Sequence, residues 1–271
     1  VNHRTLAEAE HGQLTSPRPI ELYVFLDPLC HDCWALQPIL RRLQVEYDRY
    51  FTLRIGLLTS LPKMNYNVTA IEEDEGTDGR DPLAKSHPAF PSIAIKAAEF
   101  QGKRAGFRFL TKLFEYSFLK SRNVKSFPVL VEIAEKLQLD KEEFISDFFS
   151  RNVLQSLQVD LHLAKEMEVE KSPTFVFFNE NIEDEGLMVD GSYSYDIYEQ
   201  ILEELSGTAI ERECAPSLEA LFTRFEMLAT SEIADIYGMT EKESERELKK
   251  LLLKQEVERV VINDTVLWRK R

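Results

Sequence analysis

Two cysteines with two residues between them, Cys30 and Cys33 in Leu29-Cys-His-Asp-Cys-Trp34, are the side chains of this chain best suited to chemistry. A thiolate attacks a disulfide sulfur, and a second thiol three positions on can resolve the mixed disulfide that forms, so the pair suits thiol–disulfide exchange. In that role Cys30 is the exposed nucleophile and Cys33 the buried resolving thiol. The residues between them oppose each other, since a protonated His31 favours the thiolate and Asp32 places an acid beside it. The same thiols could instead ligate zinc together with His3 and His11. Those histidines lie eight positions apart in a polar tail, which fits no compact ligand spacing, so a solvated tail is the simpler reading and no resident cofactor is expected. Cys214 reads as a plain linker thiol.

The surrounding elements must position the pair. Leu22-Tyr-Val-Phe-Leu26 is an aromatic and branched apolar run that breaks at Asp27-Pro28, and apolar residues then recur at 36, 39, 40, 43 and 47. That pattern predicts strand, turn and helix, with the cysteines at the helix start, where unpaired N–H groups and the helix dipole favour a thiolate. Phe51 to Leu58 predicts a second strand, parallel to the first across the helix. An acidic stretch follows, and its Asp74, Asp78 and Asp81 lack the ligand spacing of a calcium loop. From about 83 to 167 the period turns helical: Ile93, Ala97 and Phe100, then Phe107, Leu110, Leu113, Phe114 and Phe118, then Val129, Ile133 and Leu137. Asp140-Lys-Glu-Glu143 resembles a capping box for the next helix, and the aromatics of the block read as helix-packing core.

Strand pattern returns at Ser172-Pro173-Thr174-Phe175 to Asn179, continues at Gly186 to Gly191, and gives way to a helix carrying Ile197, Tyr198, Ile201, Leu202 and Leu205. The order strand, helix, strand, helical block, strand, strand, helix is an α/β thioredoxin fold with a helical insertion. It occupies residues 20–206 after a lead-in at 1–19. Residues 207–216 read as a linker. In 217–271, Leu218, Leu221, Phe222, Phe225 and Leu228 predict one amphipathic helix, and Ser231 to Tyr237 a second helix that ends at Gly238. Thr240-Glu-Lys-Glu243 predicts a capping box for a third, and Val257–Ile262 and Thr265–Arg269 a hairpin. Three helices and a hairpin make a winged-helix pattern. Glu241, Glu243, Glu245 and Glu247 open the helix that would enter a DNA groove, and they would be repelled by phosphate, so a protein-contact module, or simply an extra packing unit, is expected.

Composition narrows the classes further. Lys and Arg number 33 against 47 Asp and Glu, a net charge of −14, which disfavours nucleic acid and anionic membrane as partners. No apolar run approaches the roughly 20 residues of a membrane helix. Val1 to Ser16 hold no apolar core like that of a signal peptide, and three scattered cysteines imply no disulfide framework, so a reducing cytoplasm is the expected location.

Cys30-x-x-Cys33 after a strand, Pro38 five residues on, and Ser172-Pro173-Thr174 before an aromatic strand together resemble the DsbA group of thioredoxin-fold proteins. The resemblance implies that Pro173 follows a cis peptide bond and faces the dithiol, and that the backbone at Ser172 can pair with an extended peptide. Against a typical DsbA protein, His31-Asp32 implies a weaker oxidant. Nearly the whole chain is similar to the YjbH/SpxH family of bacterial adaptors. The similarity rests on Asp27-Pro-Leu-Cys30-x-x-Cys33-Trp34, Ala97-Ala-Glu-Phe-Gln-Gly102, Asp184-Glu-Gly186 and Gly191-Ser-Tyr-Ser-Tyr-Asp196. It implies a non-enzymatic protein that binds the transcription regulator Spx and promotes its degradation by the ClpXP protease. The alternative is a cytoplasmic thiol–disulfide oxidoreductase using Cys30, Cys33 and Pro173. The surface that would hold the client is not legible, with the groove near Ser172 one candidate.

Overall fold

A computed structural model of the chain describes residues 20–59, 86–179, 181, 185–262 and 265–271. β1 (Ile20–Leu26) leads through a tight turn into α1 (His31–Ala35) and α2 (Gln37–Glu46), and β2 (Phe51–Leu57) returns alongside β1. Among the described residues five helices follow: α3 (Phe90–Phe100), α4 (Lys103–Phe114), α5 (Phe127–Lys136), α6 (Lys141–Phe148) and α7 (Arg151–Glu166). A π-helical turn, Glu115–Leu119, extends α4. β3 (Thr174–Phe178), β4 (Leu187–Asp190) and α8 (Tyr195–Ser206) complete this part. The sheet order is β2-β1-β3-β4, with β1 and β2 parallel and the other pairs antiparallel.

The period of two along β1 divides its side chains between two cores. Ile20, Leu22, Val24 and Leu26 pack with Leu36, Leu40 and Leu43, in a cluster that continues through Phe90, Phe109, Phe127, Phe144 and Phe148 of the insertion. Phe25, on the opposite face, packs with Ala164 and Val176. The α/β fold and its helical insertion therefore share one interior. Phe100 departs from its expected core position and is 42% exposed. It is the last residue of α3, where the helix ends two residues before Gly102 with its φ of +126°.

Beyond α8 the chain forms a smaller winged-helix-like unit: α9 (Leu218–Arg224), β5 (Met227–Ala229), α10 (Thr230–Tyr237), α11 (Glu241–Leu253), β6 (Val257–Ile262) and β7 (Thr265–Lys270). The three strands form an antiparallel sheet of order β5-β7-β6. The first helix is shorter than its apolar spacing predicts. It stops at Arg224, and Leu228 lies in β5 opposite Trp268, because the backbone is extended from Phe225 onward and pairs with β7. Gly238 closes α10 in the left-handed conformation, and the Thr240–Glu243 capping box is complete in both directions. At Asp140 only half of the corresponding box is present, the carboxylate accepting from the Glu143 N–H. The unit's core of Leu221, Phe222, Leu228, Ile233, Leu248 and Trp268 also encloses Val45 of α2. The acidic stretch with Asp74, Asp78 and Asp81 lies outside the described residues, and no helix among the described residues is long and apolar enough to cross a membrane.

Candidate functional site

Cys30 occupies the N-cap of α1 in extended conformation. Asp27 builds the turn that puts it there: its carbonyl accepts from the Cys30 N–H at 2.9 Å and its Oδ1 accepts from the Leu29 N–H at 2.9 Å. The helix is interrupted at Leu36, where Pro38 in the first turn of α2 has no N–H to donate to the carbonyl four residues back. A short helical arm bearing both thiols is thus set off from the long helix behind it.

The opposing wall is the start of β3. The Ser172–Pro173 bond is cis, Pro173 is buried, and the Ser172 carbonyl lies 3.8 Å from Cys30 Sγ, placed to accept from the thiol. Three contacts fix this loop. The Pro173 carbonyl accepts from the Gly191 N–H at 2.8 Å, Thr174 Oγ1 lies 2.8 Å from Asp190 Oδ1, and Lys171 Nζ lies 3.2 Å from Asp190 Oδ2. The Thr174 hydroxyl, helped by Lys171, holds the Asp190 carboxyl below its ordinary range. Asp190 escaped the sequence reading. Its only signal was an acid directly before Gly191 at the end of the partner strand.

The two thiols are free and unlike. Cys30 is half-buried and Cys33 has no exposed surface. Burial pushes the Cys33 thiol well above its ordinary range, and contacts with the Asp27 backbone and Ser172 offset this only in part. Such a pair can carry out stepwise exchange. The Cys30 thiolate would attack one sulfur of a disulfide and expel the other as thiolate. Cys33, once deprotonated, would attack Cys30 Sγ and expel the remaining substrate sulfur, leaving the Cys30–Cys33 disulfide and a reduced substrate dithiol.

Aromatic rings flank one side of the same arm. Phe118, from the π turn of the insertion, stacks on Trp34 with centroids 5.5 Å apart and 22° between planes, and meets the His31 ring edge-on at 5.6 Å. His31 and Asp32 are exposed, with His31 Nδ1 4.0 Å from Asp32 Oδ1. In the sequence Phe118 was one more apolar residue of a helical period, and nothing there distinguished it from its buried neighbours.

The structure thus gathers Cys30, Cys33, Ser172 and Pro173 into one place. Cys214 is exposed beside Glu213, whose N–H bonds to the Glu46 carbonyl at the far end of α2. His3 and His11 lie outside the described residues, and among the described residues no three His, Cys, Asp or Glu side chains are arranged to hold a metal ion.

A dithiol at a helix start facing a cis-proline loop defines a thioredoxin-fold protein, and residues 23–200 match the family model described as Thioredoxin. Among solved structures, α-DsbA1 of Wolbachia pipientis shares this fold at a TM-score of 0.53 and 11% identity, over 70% of this chain and 87% of that one. A more specific likeness extends through the winged-helix-like unit. The ClpXP adapter protein SpxH of Halalkalibacterium halodurans is 39% identical over 97% of this chain and 92% of its own length. SpxH of Bacillus subtilis is 39% identical over 93% of this chain and 89% of its own. The chain belongs to the SpxH family of ClpXP adapter proteins.

Proposed function

We propose that this protein is a cytoplasmic adaptor that binds the transcription regulator Spx and promotes its degradation by ClpXP. The observation that carries this reading is the extent of the match. Proteins named as ClpXP adapters align over 97% of the chain, C-terminal unit included, whereas the α-DsbA1 fold accounts for 70% of it. What the adapters share with this chain beyond a thioredoxin fold is therefore the added module, and a module without redox groups of its own serves contact. Holding client and protease together raises the local concentration of one at the other and requires no bond to be made or broken.

The dithiol supports a second reading, thiol–disulfide exchange by Cys30 and Cys33 beside Pro173, favoured by the contrast between a half-exposed and a buried thiol across from Ser172. One experiment separates the two readings: the rate at which purified ClpXP degrades Spx, alone and with this protein as wild type or as Cys30→Ser/Cys33→Ser. Equal acceleration by both forms is the expected result and makes the thiols dispensable for delivery. Acceleration by the wild type alone makes them part of the mechanism. No acceleration by either form overturns the adaptor reading.

A further inference from the structure

The C-terminal unit is attached along two dissimilar seams. Against α2 the contact is apolar and tight: Val45 is enclosed in the unit's core, and Arg41 pairs with Glu232 at 2.8 Å, each side chain about nine-tenths buried. Against the insertion it is polar, with Arg108 2.7 Å from Glu226 and Arg269 2.9 Å from Glu115. A crevice lined by Phe107, Thr111, Glu115, Arg224 and Met227 lies between these elements. Interfaces joined by ion pairs across unfilled space move more readily than packed apolar ones. The unit is accordingly held by apolar packing on α2 and by ion pairs at the insertion.

Glu115 stands at the ion-paired seam and at the root of the turn that reaches the dithiol arm. It is 3% exposed and surrounded by Lys112 and Lys120, each at 2.8 Å, and by Arg269 of β7. Its carbonyl accepts from the Lys120 N–H five residues on, closing the widened π turn, and Phe118 sits within that turn. Arg269 lies in the central strand of the small sheet, and its Nη2 also comes within 3.7 Å of Met227 Sδ. Its Nη1 lies 3.3 Å from Glu258, and its Nε is buried without a hydrogen-bond partner among the described residues.

We propose that Glu115 and Arg269 are positioning residues for the dithiol face, the C-terminal unit acting through their ion pair to set how firmly Phe118 clamps the first turn of α1 and so how readily Cys30 reacts. The chain of contacts is continuous: β7 to Glu115, Glu115 to the π turn, Phe118 to His31 and Trp34, and these to the arm between and beside the thiols. A shift of the unit that pulls Arg269 away leaves Glu115 to its two lysines, loosens the turn and withdraws Phe118 from the His31 and Trp34 rings. The link does not depend on what the protein delivers, since it concerns thiol reactivity alone.

The test is the rate at which a maleimide modifies Cys30 in the full chain, with Cys214 replaced by Ser, compared among Phe118→Ala, Arg269→Met, Arg269→Lys and the Phe118→Ala/Arg269→Met double variant. Phe118→Ala and Arg269→Met are each expected to speed modification about threefold or more, in keeping with coupling between residues in contact. Arg269→Lys should stay near the wild-type rate, and the double variant should react no faster than Phe118→Ala. A wild-type rate for Arg269→Met, or a double variant whose acceleration is the product of the two, overturns the proposal. Should Arg269→Met lose the circular dichroism of the C-terminal unit, Glu115→Gln breaks the same pair from the other side. It is expected to show the same acceleration with the unit folded, and a wild-type rate in that variant overturns the proposal equally.

Discussion

The thioredoxin-fold body and the C-terminal unit bury their apolar side chains on very different scales. In the body, one interior runs from the sheet through the insertion, so that Leu22 of β1 and Phe144 of α6 belong to the same cluster. The C-terminal unit has a short cluster centred on Trp268, completed by Val45 from the body. Small units bury a smaller share of their surface and sit nearer the limit of stability. On this difference the body is expected to fold by itself, whereas the added unit draws Val45 of α2 into its own core. Trp268 tests that contrast most severely. It is fully buried, and its Nε1–H donates to Thr230 Oγ1 at 2.9 Å. Trp268→Ala should cost about 4 kcal/mol, as for other buried aromatics cut to Ala, enough to unfold the unit while the body keeps its structure. Hydrogen exchange followed region by region would show protection lost in α10, α11 and β7 and retained in β1 and β3. Equal loss in both regions would mean that the two fold as one.

A smaller perturbation probes the seam on α2. Glu232→Gln leaves the Arg41 guanidinium without its anionic partner at a position only 11% exposed. Hydrogen bonds to charged groups contribute about 2 kcal/mol, and a loss of that size should appear as a lower denaturation midpoint for the C-terminal unit. The body should be unchanged, because Arg41 projects from α2 toward the unit and away from the sheet interior. A midpoint within error of the wild type would show that Val45 and its neighbours hold the seam without the ion pair.

How much of this was legible in advance follows the range of the interactions. The strand that ends at Asp27-Pro28, the helix start at Cys30 and the capping box at Thr240–Glu243 are set by neighbours a few residues apart, and composition displays them directly. The pairing of the dithiol with Ser172–Pro173 spans 142 residues and was accessible only through resemblance to a known arrangement. Two kinds of feature escaped. Leu228 kept helical spacing with Leu218 to Phe225 yet sits in a strand, because a residue on either element can reach the same core and period alone does not distinguish them. Phe118 and Asp190 derive their importance from partners on other elements, Trp34 across the insertion and Thr174 across the sheet, and no local pattern marks such residues.

The buried thiol extends the comparison to pH. In the folded chain burial raises Cys33 above its ordinary value, so the native state keeps that proton at pH values where the unfolded chain, with a thiol pKa of roughly 8.5, releases it. Above that pH the unfolded state binds fewer protons than the native one, and stability therefore falls as pH rises. The slope from one such group reaches about 1.4 kcal/mol per pH unit. Below about pH 7 the thiol is almost wholly protonated in both states and contributes almost no slope. Urea titrations of wild type and Cys33→Ala between pH 8 and 10 isolate the effect, because the unfolded chain's tyrosines, with pKa near 10, titrate in both proteins. The wild type should lose stability more steeply than the variant over that interval, and the extra loss should belong to the body's transition, since Cys33 packs with Leu36 and Leu40 in its interior and touches nothing of the C-terminal unit's core. Parallel slopes in the two proteins would mean that Cys33 can ionise in the folded state. The resolving thiol would then be within reach of solvent, and the division of labour between an accessible Cys30 and a protected Cys33 would not hold.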